Sequence, residues 1–325
     1  MSDPSLRLQQ TLLSRLKLRH LQLLVNIERH RTLSRVAAEL RLTQPAITKA
    51  LREIEGVFMA RLFERTKRGL EPTAAGQAAL HYAQVTLSDT ASAAQVLTAL
   101  ETGFSGRLRV GWTPQVPDAL RNAVFTHLLR QQPRVAVVAR EGTTDELVAA
   151  LSNRTLDCAI GRSYQDATGV DYVQEPIYDQ EPALVVPAKA RARLARVPLD
   201  WARLAELDWI FPPVNTPMRR TFSAMFLSAG VQPPTPIAET TSLRGIETVL
   251  RLEPFSITIL ARDVVDEMSL SGHIAALPQK LTWNLPPVSF FVARPLARHP
   301  TLRSLTAAIR EAAAGGAGAR ARKAA

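Results

Sequence analysis

The 325-residue sequence holds a single cysteine, Cys158, so no intrachain disulfide can form. Cys158 lies in Leu156-Asp-Cys-Ala-Ile-Gly161, an apolar stretch that reads as a buried strand. That setting suits a small core residue rather than a reactive thiol. No run approaches the roughly 20 apolar residues of a membrane span. The first twenty residues lack both an uninterrupted apolar core and a small-residue cleavage site, so the cytoplasm is expected. Six histidines are scattered through the chain, none with a second histidine or a cysteine at metal-ligand spacing, so neither a metal site nor a cofactor is expected. G-x-S-x-G, P-loop and G-x-G-x-x-G motifs are also missing, which argues against the common enzyme classes. Glycine (15) and proline (22) are not in excess and 46% of residues are hydrophobic, as in folded globular chains.

What the sequence does have is positive charge, and its placement is uneven. The formal net charge is +11. Residues 1–72 hold fourteen Lys and Arg against seven Asp and Glu, residues 310–325 hold four against one, and the long middle is nearly balanced. A basic N-terminal module fits binding to nucleic-acid phosphates, with a merely solvated basic surface as the plainer reading.

Three helical patterns follow one another there. Leu18, Leu21, Leu24 and Val25 form the stripe of the first. Ser34–Leu40 forms a short second, opened by Thr32 or Ser34. The third starts at Thr43, a good N-cap, with Gln44 and Pro45 in its first turn. It turns Ile47, Ala50, Leu51 and Ile54 to one side and Pro45, Thr48, Lys49 and Arg52 to the other. Only Arg41-Leu42-Thr43 joins the second and third. Two short helices on a tight turn, the second with a polar, basic outer face, make a helix-turn-helix. A plain three-helix bundle is the competing reading. Gln44 can pair with adenine, and Lys49 or Arg52 with guanine or phosphate. Next, Leu62-Phe63 and Leu70 flank a basic turn, Arg65-Thr66-Lys67-Arg68-Gly69, in which Gly69 can take positive φ. Such a wing would lie along the DNA backbone.

On the stretch from Leu18 to Gly76, and most of all on AAELRLTQPAITKALREIE and LFERTKRGLEPTAAG, the sequence resembles the LysR-type transcriptional regulators. Its wording is similar to the branch that regulates sugar or aromatic-acid catabolism. The resemblance implies DNA contacts from Gln44, Pro45, Ala46, Thr48 and Lys49, with Arg65, Lys67 and Arg68 in the wing. Ser34, Thr43 and Arg52 complete the candidate interface. The family's leucine–glycine pair is replaced here by Val57-Phe58, which leaves that turn without its usual glycine.

From Thr73 to Leu100 there is no proline and only Gly76 interrupts, so one helix of about 28 residues, roughly 40 Å long, is expected. Gly103 and Gly106 mark its end. Leu80, Leu87 and Ala94, with Ala83, Thr90 and Leu97, form a heptad of small residues suited to pairing with a second subunit; a helix folded back on its own domain is the alternative. The resemblance implies dimers joined into tetramers.

After Gly106 short apolar strands alternate with helices, the pattern of α/β lobes. Strands are expected near 108–111, 135–139, 157–161, 183–186, 209–211, 257–260 and 288–292. Helices are expected near 118–130, 144–152, 217–229, 242–252 and 300–311. Crossings between two lobes fit Tyr178–Pro182 and Pro278–Pro286. The resemblance implies a domain similar to type 2 periplasmic binding proteins. Ligands in such folds sit beyond strand C-termini and against helix N-termini. Thr113, Thr143, Thr144, Asn215, Thr216 and Thr241 lie at such junctions, with Arg162 able to pair a carboxylate and Trp112 a possible lining residue. Each could equally be an ordinary cap.

The overall expectation is an α/β protein with an N-terminal winged helix-turn-helix (1–72), a long linker helix (73–105) and a two-lobed, periplasmic-binding-protein-like effector domain (106–312). Its first lobe would take 106–180 and 284–312, its second 181–283, and residues 313–325 would form a disordered basic tail. The expected partners are double-stranded promoter DNA, a small organic acid, and further copies of the chain as a homodimer or homotetramer. A solute-binding protein would not need the basic module, and a nucleoid protein would not need the lobes.

Overall fold

A computed structural model of the chain describes residues 4–101, 104–163, 171–196, 200–281 and 283–324. Gly103 of the expected linker lies outside them. The chain divides into two compact units: residues 1–98 with 153–155, and residues 99–152 with 156–325.

The first unit runs α1 (Pro4–Arg15), α2 (Leu18–His30), α3 (Leu33–Glu39), α4 (Gln44–Phe58), β1 (Phe63–Thr66), β2 (Gly69–Pro72) and α5 (Ala74–Glu101). Helix α1, which the periodicity reading did not anticipate, packs on α4. The apolar stripes meet in one core, including Leu24, Ile27, Val36, Ile47, Leu51, Ile54, Leu62 and Leu80. At the end of α4 the absent glycine is answered by Met59, which takes φ 54° and donates its N–H to the carbonyls of Glu55 and Gly56. A side chain in that conformation costs about 1–2 kcal/mol, so the turn closes at a price in stability. The Glu55 carboxylate then accepts the Leu62 N–H at 2.8 Å and fixes the entry to the wing.

In the wing, β1 and β2 pair antiparallel with Thr66 opposite Gly69, leaving Lys67-Arg68 as a two-residue turn. Gly69 has φ 110°, and a Cβ there would lie 2.6 Å from the Arg31 carbonyl, which accepts the Leu70 N–H at 2.7 Å. Glycine is therefore required twice over, by conformation and by space. Helix α5 covers 28 residues, the length expected. Ala79, Leu80 and Ala83 are buried near its start, whereas Leu97 is 66% exposed.

The second unit contains two five-stranded sheets. The chain forms β3 (Phe104–Trp112), α6 (Asp118–Leu129), β4 (Arg134–Glu141), α7 (Thr144–Ser152), β5 (Cys158–Arg162) and β6 (Tyr172–Tyr178). It then crosses into β7 (Pro182–Pro187), α8 (Arg191–Leu194), α9 (Trp201–Ala205), β8 (Asp208–Phe211), α10 (Pro217–Ser228), β9 (Ala238–Glu239), α11 (Leu243–Leu252), β10 (Ser256–Ala261), α12 (Arg262–Met268) and β11 (Ile274–Ala276). It returns as β12 (Val288–Ala293) and ends in α13 (Pro300–Ala324). The first sheet has the order β4-β3-β5-β12-β6 and the second β11-β7-β10-β8-β9. In each, the strand that receives the crossing chain, β7 or β12, runs against its neighbours. The other strands are parallel, so their C-terminal ends share one edge.

Helices cover both faces of each sheet, and the strands β5, β7, β10 and β12 are buried along their length as that burial requires. In the first lobe α6 and α13 share a core with Val110, Ile160 and Phe290, while α7 packs on Ala159 and Phe291. In the second, Trp209, Phe211, Phe222 and Phe226 form an edge-to-face cluster. The segment from 313, expected to be disordered, instead continues α13 to Ala324. It contains no proline, and its alanines favour continuation of the helix where Gly315, Gly316 and Gly318 oppose it.

Candidate functional site

Two sites emerge, one in each unit. In the first, Thr43 Oγ1 accepts the Ala46 N–H at 3.4 Å and starts α4, and Pro45 occupies a first-turn position where no N–H is needed. Burial of Ile47, Leu51, Ile54 and Val57 fixes the rotation of the helix. The other side is left outward, and Gln44, Pro45, Thr48, Lys49 and Arg52 line a single shallow groove on it. Thr48 Oγ1 is turned back onto the Gln44 carbonyl at 3.0 Å, which leaves its methyl outermost. Ala46 is exposed beside the groove, and Ser34 is exposed on α3. Arg65, Lys67 and Arg68 are exposed on the wing. None of Lys49, Arg52, Arg65, Lys67 or Arg68 forms an ion pair among the described residues, so each cation is available to an external anion.

The second site is a cleft between the two lobes of the second unit, open at the shared C-terminal edge of the strands. It encloses about 80 Å³, several waters' worth at roughly 10–15 Å³ each. Thr113 follows β3, Thr143 and Thr144 follow β4, Arg162 ends β5 and Ser163 follows it. From the second lobe come Thr216 at the start of α10 and Thr240 and Thr241 after β9. Thr216 caps α10, its Oγ1 accepting the Arg219 N–H at 3.2 Å and donating to the Pro213 carbonyl at 2.8 Å. Thr240 accepts the Ser242 N–H at 3.1 Å. By contrast, the hydroxyls of Thr113, Thr143, Thr144 and Thr241 have no hydrogen-bond partner among the described residues.

Arg162 is the charged centre of the cleft. It is only 6% exposed. Its guanidinium donates to the Pro286 carbonyl and to Gln115 Oε1, both at 3.1 Å and both uncharged. Burial lowers its pKa to about 10, partly opposed by Asp263 and Tyr178, so it remains a cation at neutral pH. Arg109 in the same lobe shows the alternative: it is paired with the buried Asp157 at 2.6 Å. A buried guanidinium lacking such a counter-ion is an anion site with its charge already desolvated.

Two residues read from the sequence stand elsewhere. Trp112 is a core residue, 6% exposed, packed edge-on against Phe125 with its Nε1 donating to Glu141 at 3.2 Å. The pleat turns it away from the cleft, which its neighbour Thr113 faces. Asn215 is exposed in a shallower groove at the mouth, with Thr143, Thr216 and Thr241. Sequence reasoning missed Gln115, Thr221, Thr258 and Pro286, all in the cleft wall. Pro286 and Gln115 lie in irregular segments with no periodicity to orient them; the nearness of Ser163 to Arg162 was the one available signal. Cys158 is fully buried in the strand as expected, and burial pushes its thiol pKa well up. No helix among the described residues is long and apolar enough to cross a membrane.

Comparisons with known proteins bear on both sites. Residues 18–77 match the family described as "Bacterial regulatory helix-turn-helix protein, lysR family", and residues 101–314 match "LysR substrate binding domain". The chain is 33% identical over 302 residues to the HTH-type transcriptional regulator GbpR of Azospirillum brasilense, covering 92% of this chain and 87% of that one. Among solved structures, full-length CbnR complexed with its target DNA aligns with a TM-score of 0.60 at 18% identity, over 91% of this chain and 100% of that one. A full-length OxyR variant from Pseudomonas aeruginosa aligns at 0.58 and 20%, over 91% and 95%. These likenesses support the fold. With a DNA-binding module and a ligand-binding module both matched, in that order and across most of its length, the chain belongs to the LysR family of transcription regulators and is not an enzyme.

Proposed function

We propose that this regulator reads promoter DNA with the Gln44–Arg52 face of α4, steadied by the cations of its wing, and that a small organic acid bound between its lobes controls it. Gln44, Lys49 and Arg52 meet base edges in the major groove, and Arg65, Lys67 and Arg68 hold phosphates. The exposed distal half of α5 pairs with a second subunit, giving a dimer or a tetramer that spans two half-sites. The protein works in the cytoplasm, where its DNA is.

The observation that carries the effector reading is Arg162: buried, charged, and facing four uncommitted threonine hydroxyls from both lobes. That arrangement suits a carboxylate bearing further oxygens, as acids of sugar or aromatic catabolism do. A thermal-shift panel of organic acids tests it. An acid should raise the melting temperature of the wild type, by mass action on the folded state, and leave Arg162→Gln unmoved while both proteins bind operator DNA equally. If every stabilising ligand were uncharged, the carboxylate reading would fail.

A further inference from the structure

Helix α6 of the first lobe begins badly. Its N-cap is Pro117, which has no side-chain acceptor for the first free N–H groups of the helix. The acceptor comes from the other lobe: both carboxylate oxygens of Glu267, on α12, lie 3.1 Å from the Asp118 N–H. One turn earlier on the same helix, Asp263 is 3% exposed and accepts from Tyr178 Oη at 2.8 Å and from Gln180 Nε2 at 2.9 Å. Tyr178 ends the last strand before the crossing, and Gln180 lies in the crossing itself. Asp263 and Glu267 are four residues apart and so share one face of α12. Through that face a second-lobe helix grips the first lobe at two points, one at the hinge and one on α6.

We propose that α12 is an interlobe clamp and that Glu267 is its releasable contact, setting how far the cleft opens. The hinge contact is buried, and both oxygens of the Asp263 carboxylate accept hydrogen bonds there, from Tyr178 and Gln180, so it holds. The Glu267 contact is half-buried, and its charge is opposed by Asp118 and Asp263 and supported by Arg121, itself paired with Asp118 and Glu141. The loop that leads into α6, Thr113–Pro117, lines the cleft with Thr113, Pro114 and Gln115, and Gln115 holds Arg162. A ligand that draws Arg162 or this loop toward itself moves the start of α6 relative to Glu267. The clamp is a matter of geometry, whereas its regulatory meaning rests on the cleft being the effector site. A ligand then acts by the difference in its affinity for the gripped and released forms.

The test needs neither effector nor DNA, so its failure is separate from failure of the functional reading. Cysteines introduced at the exposed Leu129 and Leu227, one in each lobe, are spin-labelled in the full chain, the native Cys158 being buried. Labelled subunits are diluted with unlabelled ones and the interlobe distance distribution is recorded. Glu267→Ala should broaden and lengthen the distribution, and Glu267→Gln, which keeps an acceptor oxygen, should restore it. Asp118→Pro removes the donor N–H together with the carboxylate that Arg121 pairs with, at a helix position that favours proline, after a Pro117 already at φ −61° and ψ 152°, and Asp118→Ala removes that carboxylate alone. Asp118→Pro should therefore broaden the distribution, while Asp118→Ala, which retains the N–H, should not. Wild-type distributions in both Glu267→Ala and Asp118→Pro would overturn the clamp, as would equal broadening by the Pro and Ala variants.

Discussion

The two units handle positive charge in opposite ways. Among the described residues, the cations of α4 and the wing stand in water with no ion-pair partner, and in the cleft of the second unit an arginine is buried with only uncharged hydrogen-bond acceptors. Exposed cations act through counterion release and through contacts made one at a time along a long polyanion, so their effect is spread out and sensitive to salt. A buried guanidinium carries a desolvation cost whether or not a ligand is present, and that cost is recovered only when an anion arrives. The first arrangement suits a large partner of fixed charge, the second a small one that must be present or absent.

The largest effect should follow from removing the buried charge. Arg162→Met should weaken binding of any stabilising acid by about 3 kcal/mol, roughly a hundredfold, by calorimetry. Without ligand the same variant should unfold at a temperature close to that of the wild type, because relief of the buried charge's desolvation is offset by loss of its attraction to the buried Asp263. Loss of folding stability together with retained binding would reverse the comparison. Next come the exposed groups, measured by fluorescence anisotropy on operator and random DNA. Gln44→Ala should cost about 1–3 kcal/mol on the operator alone. Lys67→Ala should weaken both DNAs alike and lower the salt slope by about one. A Lys67→Ala effect confined to the operator would show that the wing reads sequence.

Smaller changes sharpen the picture. Thr143→Val removes one uncommitted hydroxyl and should reduce acid affinity by about 1 kcal/mol while leaving operator binding unchanged. An unaltered affinity would remove Thr143 from the site. Met59→Gly should raise the unfolding free energy, measured by denaturant titration, by about 0.5–1 kcal/mol, since glycine takes the left-handed cap without strain. A loss of stability there would mean that the exposed Met59 side chain makes contacts worth more than the strain.

Much of this was legible in the sequence where one periodicity dominated. The α4 stripe fixed both its buried face and, by elimination, its groove; Gly69 and the proline-free run of α5 announced their roles directly. The elements that escaped notice are those whose identity depends on tertiary neighbours. Strand β6 contains Pro176, which argues against a central strand, but β6 is an edge strand and needs no donor there. Strands β9 and β11 are two and three residues long and also lie at edges. Helix α12, with seven residues, is too short to show a stripe. In the cleft, the residues that follow strands and open helices could be named, while those supplied by irregular crossings could not. Trp112 shows the limit of junction reasoning: one step along a strand reverses the side to which a residue points.

Gly76 has a mechanical consequence. A Cβ at this position would lie 1.9 Å from the Leu62 carbonyl oxygen, so the first turn of α5 rests directly on the polypeptide at the base of the wing. Even an alanine there would have to push the helix and the wing base apart, so the space for one hydrogen atom sets how α5 leaves the wing.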